Sequence, residues 1–239
     1  MSATENNKES GKEPRTLTRR EKERIARSQL IIDAAREVFS FKGFANATLD
    51  EIAERAEFGK ASLYSYFSTK EDLFGQVVEG TFNEIKQRTI DAFAEGETFE
   101  EKVRNLAESL LRYFYNNFES YHLFRNESHN LREKNPMLRF MPDLLNLIVE
   151  EISRAQARKE VKKIDPFDLA MMLLDMIYSQ TNARVYRRVV KDGVLSTIGN
   201  EEKLRALIRK LQTPDEQQEN DVAEGTKVVM EVCMRGIVL

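Results

Sequence analysis

The sequence predicts an all-α protein: an N-terminal three-helix domain holding a helix-turn-helix, followed by a larger C-terminal helical domain. Three observations carry this expectation. Apolar residues recur at helical spacing along the chain, as at Ile31, Ala35, Val38 and Phe39. Ser/Thr-x-x-Glu capping signals occur at Thr48 with Glu51, Ser68 with Glu71 and Thr98 with Glu101. Only 10 glycines and 5 prolines occur in 239 residues, too few for turn-rich β architecture.

Taken in order, residues 1–14 are polar and aperiodic and read as a disordered tail. A helix begins near Thr18, and Gly43 supplies its stop. The Thr48 box opens a short helix, residues 49–56, with Ile52, Ala53 and Ala56 as its apolar side. Gly59 breaks the chain, and residues 60–67 make about two turns of a third helix. The Ser68 box starts a long helix reaching Phe93, and the Thr98 box one carrying Val103, Leu106, Leu110, Phe114 and Phe118. Residues 121–132 form the next helix. Pro142 then either starts a helix over residues 144–159 or kinks a longer one. Asp165-Pro166 opens a helix to about Val190. Residues 191–221 hold a short helix (201–211) and an acidic linker, TPDEQQEND, before a last apolar helix over 222–239. The expected division is therefore a tail (1–14), a three-helix domain (15–67) and a larger helical domain (68–239).

Composition excludes several classes. At 41% apolar and 32% charged residues the chain reads as a globular protein, and no run of 18 apolar residues offers a membrane span. The segment MSATENNKESGKEPR lacks the apolar core of a secretory signal. One cysteine, Cys233, leaves no intramolecular disulfide and fits a reducing cytoplasm. His122 and His129 are seven apart, not at the i, i+4 spacing of a helical zinc pair, and read as surface histidines. Cys233 shares an apolar face with Val229, Met230 and Ile237 and reads as a packed thiol. No Ser-His-Asp arrangement, glycine-rich phosphate loop or cysteine pair is present, so neither enzyme nor cofactor nor metal is expected. Net charge is −3, yet residues 15–27 carry Arg15, Arg19, Arg20, Lys22, Arg24 and Arg27 against Glu21 and Glu23. That local excess suits a polyanion or a solvated helix face.

The segment GKASLYSYFSTKEDLF, residues 59–74, is the most informative. A long helix, a short one, a tight turn and a second short one make a helix-turn-helix. Leu63 and Phe67, four apart, face inward. Small residues such as Ala61 and Ser62 permit close approach to the floor of a DNA major groove about 12 Å wide. Tyr64 and Tyr66 bring hydroxyls to flanking phosphates without adding charge. Thr48 and Lys70 sit at helix N-termini, where free N–H groups favour a phosphate.

The stretch IIDAAREVFSFKGFANATLDEIAERAEFGKASLYSYFSTKEDLF resembles the DNA-binding domain of the tetracycline-repressor (TetR) family of bacterial transcriptional regulators. Ala35, Phe39, Gly43, Thr48, Ile52, Ala53, Leu63, Tyr64, Phe67, Lys70 and Leu73 sit at that family's spacing. The resemblance implies a homodimer on a palindromic double-stranded operator and a divergent C-terminal domain that binds a small-molecule effector. Repression relieved by that effector is the expected function. It also implies DNA contact at Thr48, Lys60, Ser62, Tyr64, Tyr66 and Lys70, with Lys60 and Ala61 nearest the bases. The chain departs from the family's pattern twice: Glu57 stands where the turn usually has glycine, and Gly59 where a Ser or Thr cap is usual. Gly59 tolerates positive φ, so the turn's glycine is read as moved along, with Glu57 pointing away from DNA. A second reading keeps the fold but makes the protein a DNA-organising or cell-division factor without an inducer.

In the second domain Phe114, Phe118, Tyr121, Met141, Met172 and Met176 are either core or the lining of a pocket for an apolar or aromatic effector. The last two long helices are apolar on more than one stripe. Ala170, Leu174, Ile177, Thr181 and Val185 on one, with Val229, Cys233 and Ile237 on the other, are the expected dimer interface.

Overall fold

The computed structural model describes residues 17–128, 136–191, 206 and 216–238. Among them are nine helices and no strand: α1 (Arg19–Asn46), α2 (Leu49–Arg55), α3 (Lys60–Tyr64), α4 (Lys70–Glu95), α5 (Phe99–Asn116), α6 (Phe118–Ser128), α7 (Met137–Ala157), α8 (Pro166–Lys191) and α9 (Glu216–Ile237). The tail 1–14, Arg15, His129 and all of the expected helix 201–211 except Ala206 lie outside the described residues.

Capping chemistry sets the starts of the N-terminal helices. The Thr48 and Thr98 boxes form as the sequence predicts, each threonine hydroxyl accepting from the N–H three residues on. A further box, Thr18 with Glu21, opens α1; it has the same T-x-x-E spacing and is equally legible in the sequence. Gly43, at φ 72° and ψ 160°, interrupts α1 before a last turn to Asn46, a conformation that favours glycine.

The end of α2 overturns the expected placement of the flexible residue. Gly59 has an ordinary extended conformation, φ −65°, while Glu57 itself takes φ 59°. The Phe58 N–H donates to the Ala53 carbonyl at 2.8 Å and the Glu57 N–H to Glu54 at 3.1 Å, the paired bonds of a Schellman closure. Lys159 closes α7 in the same way at φ 62°. Left-handed backbone costs a non-glycine residue about 1–2 kcal/mol. Glycine gives back part of that through its freer unfolded state. Glu57→Gly is therefore expected to raise stability by about 0.5–1 kcal/mol. A lower urea midpoint for this variant would contradict the strain argument.

Other boundaries move for local reasons. The α4 cap is Thr69, whose hydroxyl accepts from the Asp72 N–H at 3.1 Å, one residue past the predicted Ser68 box. α3 ends at Tyr64, shorter than predicted, and Ser65 turns its hydroxyl back to the Ser62 carbonyl at 2.6 Å. Asn117, at φ −129° and ψ 64°, separates α5 from α6, so Phe118 opens α6 instead of ending α5. Its backbone and side-chain N–H groups both bond the Tyr113 carbonyl. Pro142 lies inside α7, and Asp165 caps α8 through the Phe167 N–H at 2.8 Å. α9 begins six residues before its predicted start, because the polar segment expected to be a linker has partners. Glu219 meets Arg112, Gln218 donates to Asn116, and Asp221 pairs with Arg184.

α1 packs on α2, α4 and α6, and α4 runs on to pack against α5 and α7. One continuous core extends from Ile31 to Cys233, so no gap in packing separates the two expected domains. At the far end Glu151, almost fully buried, accepts from Lys102 at 2.9 Å and Arg158 at 3.3 Å, tying α5 to α7. Burial alone would raise its carboxyl, but those cations hold it below the usual range.

Candidate nucleic-acid interface and regulatory cavity

Leu63 and Phe67 anchor α3 in the core, which leaves Lys60, Ala61, Ser62 and Tyr64 on the surface beside Thr48 at the α2 N-terminus. Five of the seven residues expected at DNA are therefore exposed. Thr48 holds the capping box, and its N–H is taken by Glu51 at 3.1 Å. Lys42, with Thr48, keeps the Glu51 carboxyl below its ordinary range. Lys60, at the first position of α3, forms an ion pair with Asp50 at the start of α2, which raises the lysine's pKa. Asp50 is not among the residues that the sequence marks for DNA.

The other two expected contacts are engaged elsewhere. Tyr66 is half-buried, its ring edge-on to Phe58 and under the Arg24 guanidinium at 5.9 Å. Lys70 turns inward to the backbone. Its ammonium donates to the carbonyls of Phe44 (2.7 Å), Ala45 (3.3 Å) and Ala47 (2.9 Å), and lies 4.6 Å from the Phe44 ring centre. These are the carbonyls left open where α1 ends, at the negative pole of that helix. The lysine expected to hold a phosphate is, in this structure, a C-terminal cap for α1. Lys70→Met is expected to cost about 2 kcal/mol of stability, the scale of charge-assisted bonds broken. The salt slope of DNA binding by the folded variant should not change. A slope lowered by about one with unchanged stability would restore the phosphate role.

Beside α3, the first three turns of α1 project from the bundle. Arg20, Arg24 and Arg27, at i, i+4 and i+7, share one face and line an open groove of about 640 Å³ with Thr18, Glu21, Glu23 and Tyr66. None of the three pairs with a carboxylate among the described residues, unlike Arg19, which meets Glu23.

The six expected effector residues fall in different places. Phe114, Phe118 and Tyr121 are buried in an aromatic cluster that includes Tyr178, with Phe114 5.0 Å from Tyr178 and 5.8 Å from Tyr121. Met141 packs half-buried against the core. Met172 and Met176 instead line a separate cavity of about 210 Å³ with Phe99, Val103, Leu173 and Cys233. The Cys233 sulfur lies 3.8 Å from that of Met176, and burial pushes its thiol up to about 11. Among the described residues no cluster of His, Cys, Asp and Glu could hold a metal. No helix among them is long and apolar enough to cross a membrane.

The eight residues expected at a subunit interface lie against their own chain. Ala170, Leu174, Ile177, Thr181, Val229 and Cys233 are buried, and Val185 and Ile237 are half-buried against the same core. The periodicity identified the inward stripe of each helix. The outward residues are Phe167, Met171, Met172, Tyr186 and Val190 on α8 and Val232 on α9.

Residues 31–77 match the family model of bacterial regulatory proteins, tetR family. The chain is 32% identical over 89 residues to YhgD of Bacillus subtilis (strain 168), an uncharacterized HTH-type transcriptional regulator. It is 43% identical over 53 residues to the biofilm operon icaADBC negative transcriptional regulator IcaR of Staphylococcus epidermidis. These matches take in 37% and 22% of this chain and span 47% and 29% of the relatives, less than half of either. The fold extends further: FadR of Bacillus subtilis, solved with stearoyl-CoA, superposes with a TM-score of 0.61 at 16% identity, covering 86% of this chain and 96% of FadR. The family match is thus confined to residues 31–77, and beyond them the chain shares with FadR its all-helical fold.

Proposed function

We propose that the protein is a homodimeric repressor that binds a palindromic duplex operator and releases it when a small apolar molecule enters its C-terminal domain. The observation that carries this reading is the exposed face of Thr48, Lys60, Ala61, Ser62 and Tyr64, held outward by buried Leu63 and Phe67. It is small and hydroxyl-rich, which permits close approach to the floor of a major groove. Arg20, Arg24 and Arg27 beside it supply attraction to phosphates without reading sequence. The methionine-lined cavity, at about 210 Å³, exceeds the roughly 150 Å³ that accepts benzene in an engineered protein core. The stearoyl-CoA complex of FadR supports an effector with an apolar chain, and negative regulation by IcaR supports the sign. The outward residues of α8 and α9 are the surface for the second copy, and a two-fold axis there would place the two recognition helices on successive half-sites.

Selection from a random duplex pool by the full-length protein tests this. A palindromic consensus is expected. Changing Arg20, Arg24 and Arg27 to Gln should leave that consensus unaltered and lower the salt slope by roughly 0.9 for each phosphate no longer neutralised. Absence of any enriched sequence would reject the regulator reading. Enriched sequence with no small apolar compound able to release it would favour a DNA-organising factor.

A further inference from the structure

The ion pair between Asp50 and Lys60 is unusual in its placement. It joins the first turns of α2 and α3 on the very face proposed for DNA, and both side chains are largely exposed, at 52% and 67%. A carboxylate there repels phosphates, so it weakens every DNA complex unless it contributes something the complex needs. The adjoining surface contains no other charge on α3: Ala61, Ser62, Tyr64 and Ser65 are neutral. Lys60 is thus the single cation of the recognition helix, and Asp50 is its ion-pair partner.

Resting on the DNA-binding reading, we propose that Asp50 is a positioning residue for sequence discrimination, acting through Lys60. A lysine stem has four rotatable bonds and loses much freedom when its ammonium is fixed. Asp50 holds that end before DNA arrives, drawing it from the first residue of α3 across to the first turn of α2. The pair also acts against wrong sequences. With a guanine opposite, the O6 and N7 acceptors share the ammonium, and Lys60 stays between two sets of acceptors. With no such acceptors, Lys60 remains bound to Asp50, and the complex makes no base contact while bringing an anion close to the phosphates. Discrimination then comes from the two residues as a unit. Asp50 alone reads nothing.

The test uses the full-length protein and two probes: the duplex enriched from a random pool by the wild type, and a shuffled duplex of the same composition. The discrimination ratio is the dissociation constant for the shuffled duplex divided by that for the enriched one. Asp50→Asn is expected to lower this ratio about tenfold, mainly by tightening binding to the shuffled duplex. Asp50→Glu, which keeps the carboxylate, should restore most of it. In a Lys60→Ala background, Asp50→Asn should leave the ratio unchanged. Equal changes for both duplexes, or the same loss of discrimination in the Lys60→Ala background, would overturn the proposal. If the wild type enriches no sequence, the regulator reading itself fails and this inference falls with it.

Discussion

Phe114→Ala is expected to lower folding stability by about 4 kcal/mol, the largest single loss foreseen for this chain. The ring is fully buried and touches three other aromatics: Tyr113 at 5.3 Å, Tyr178 at 5.0 Å and Tyr121 at 5.8 Å between centroids. Truncation removes the apolar burial and leaves a void, and it also breaks tilted and edge-on pairs worth about 0.5–1.5 kcal/mol each beyond area. Phe114→Leu keeps most of the volume and loses only the ring geometry, so about 1 kcal/mol is expected. Urea unfolding at constant slope measures both. A cost below about 1 kcal/mol for the alanine variant would mean the ring borders open space, as a ligand-lining residue would.

Arg184→Ala is expected to cost about 3 kcal/mol. Its guanidinium is 5% exposed, donates to Asp221 at 2.8 Å and stacks 4.1 Å from the centre of the Tyr115 ring. Removing it takes the nearest guanidinium from a carboxylate that is itself only 14% exposed and leaves it the neutral Gln217 amide at 3.0 Å, and the weakened charge compensation, more than the missing bond, is what destabilises. The double variant Arg184→Met, Asp221→Leu should recover most of the loss, since apolar replacement of a buried pair is often near neutral. Hydrogen exchange adds a second reading. With Arg184 gone, the first turns of α9 should lose protection before the rest of the helix, because Asp221 is one of the few groups tying that polar segment down. Full protection of residues 216–222 in Arg184→Ala would show that Arg112 and Asn116 suffice.

Helix identity and order were legible from the sequence because they depend on neighbours within four residues. Thr48 with Glu51 and Thr98 with Glu101 form boxes for reasons internal to four residues, and Ile31, Ala35, Val38 and Phe39 repeat at the period of a single helix. The exposed side of α3 was legible for the same reason: burying Leu63 and Phe67 forces Lys60, Ala61 and Tyr64 outward on so short a helix. What required the tertiary structure is every case where two segments compete for one group. Lys70 stands at a helix N-terminus in the sequence, but the nearest acceptors are the α1 carbonyls 23 to 26 residues earlier, and they take the ammonium. The linker TPDEQQEND reads as solvent-loving until Arg112, Asn116 and Arg184 supply partners that make its second half the start of α9. Periodicity marks the apolar stripes of α8 and α9 without saying which stripe meets the chain's own core. α5 and α7 settle that by covering Ala170, Leu174, Ile177 and Val229, which leaves Met171, Tyr186 and Val232 to the outside. Local bonds follow from the order of residues along the chain; the choice between equivalent partners depends on which surfaces the fold brings within reach.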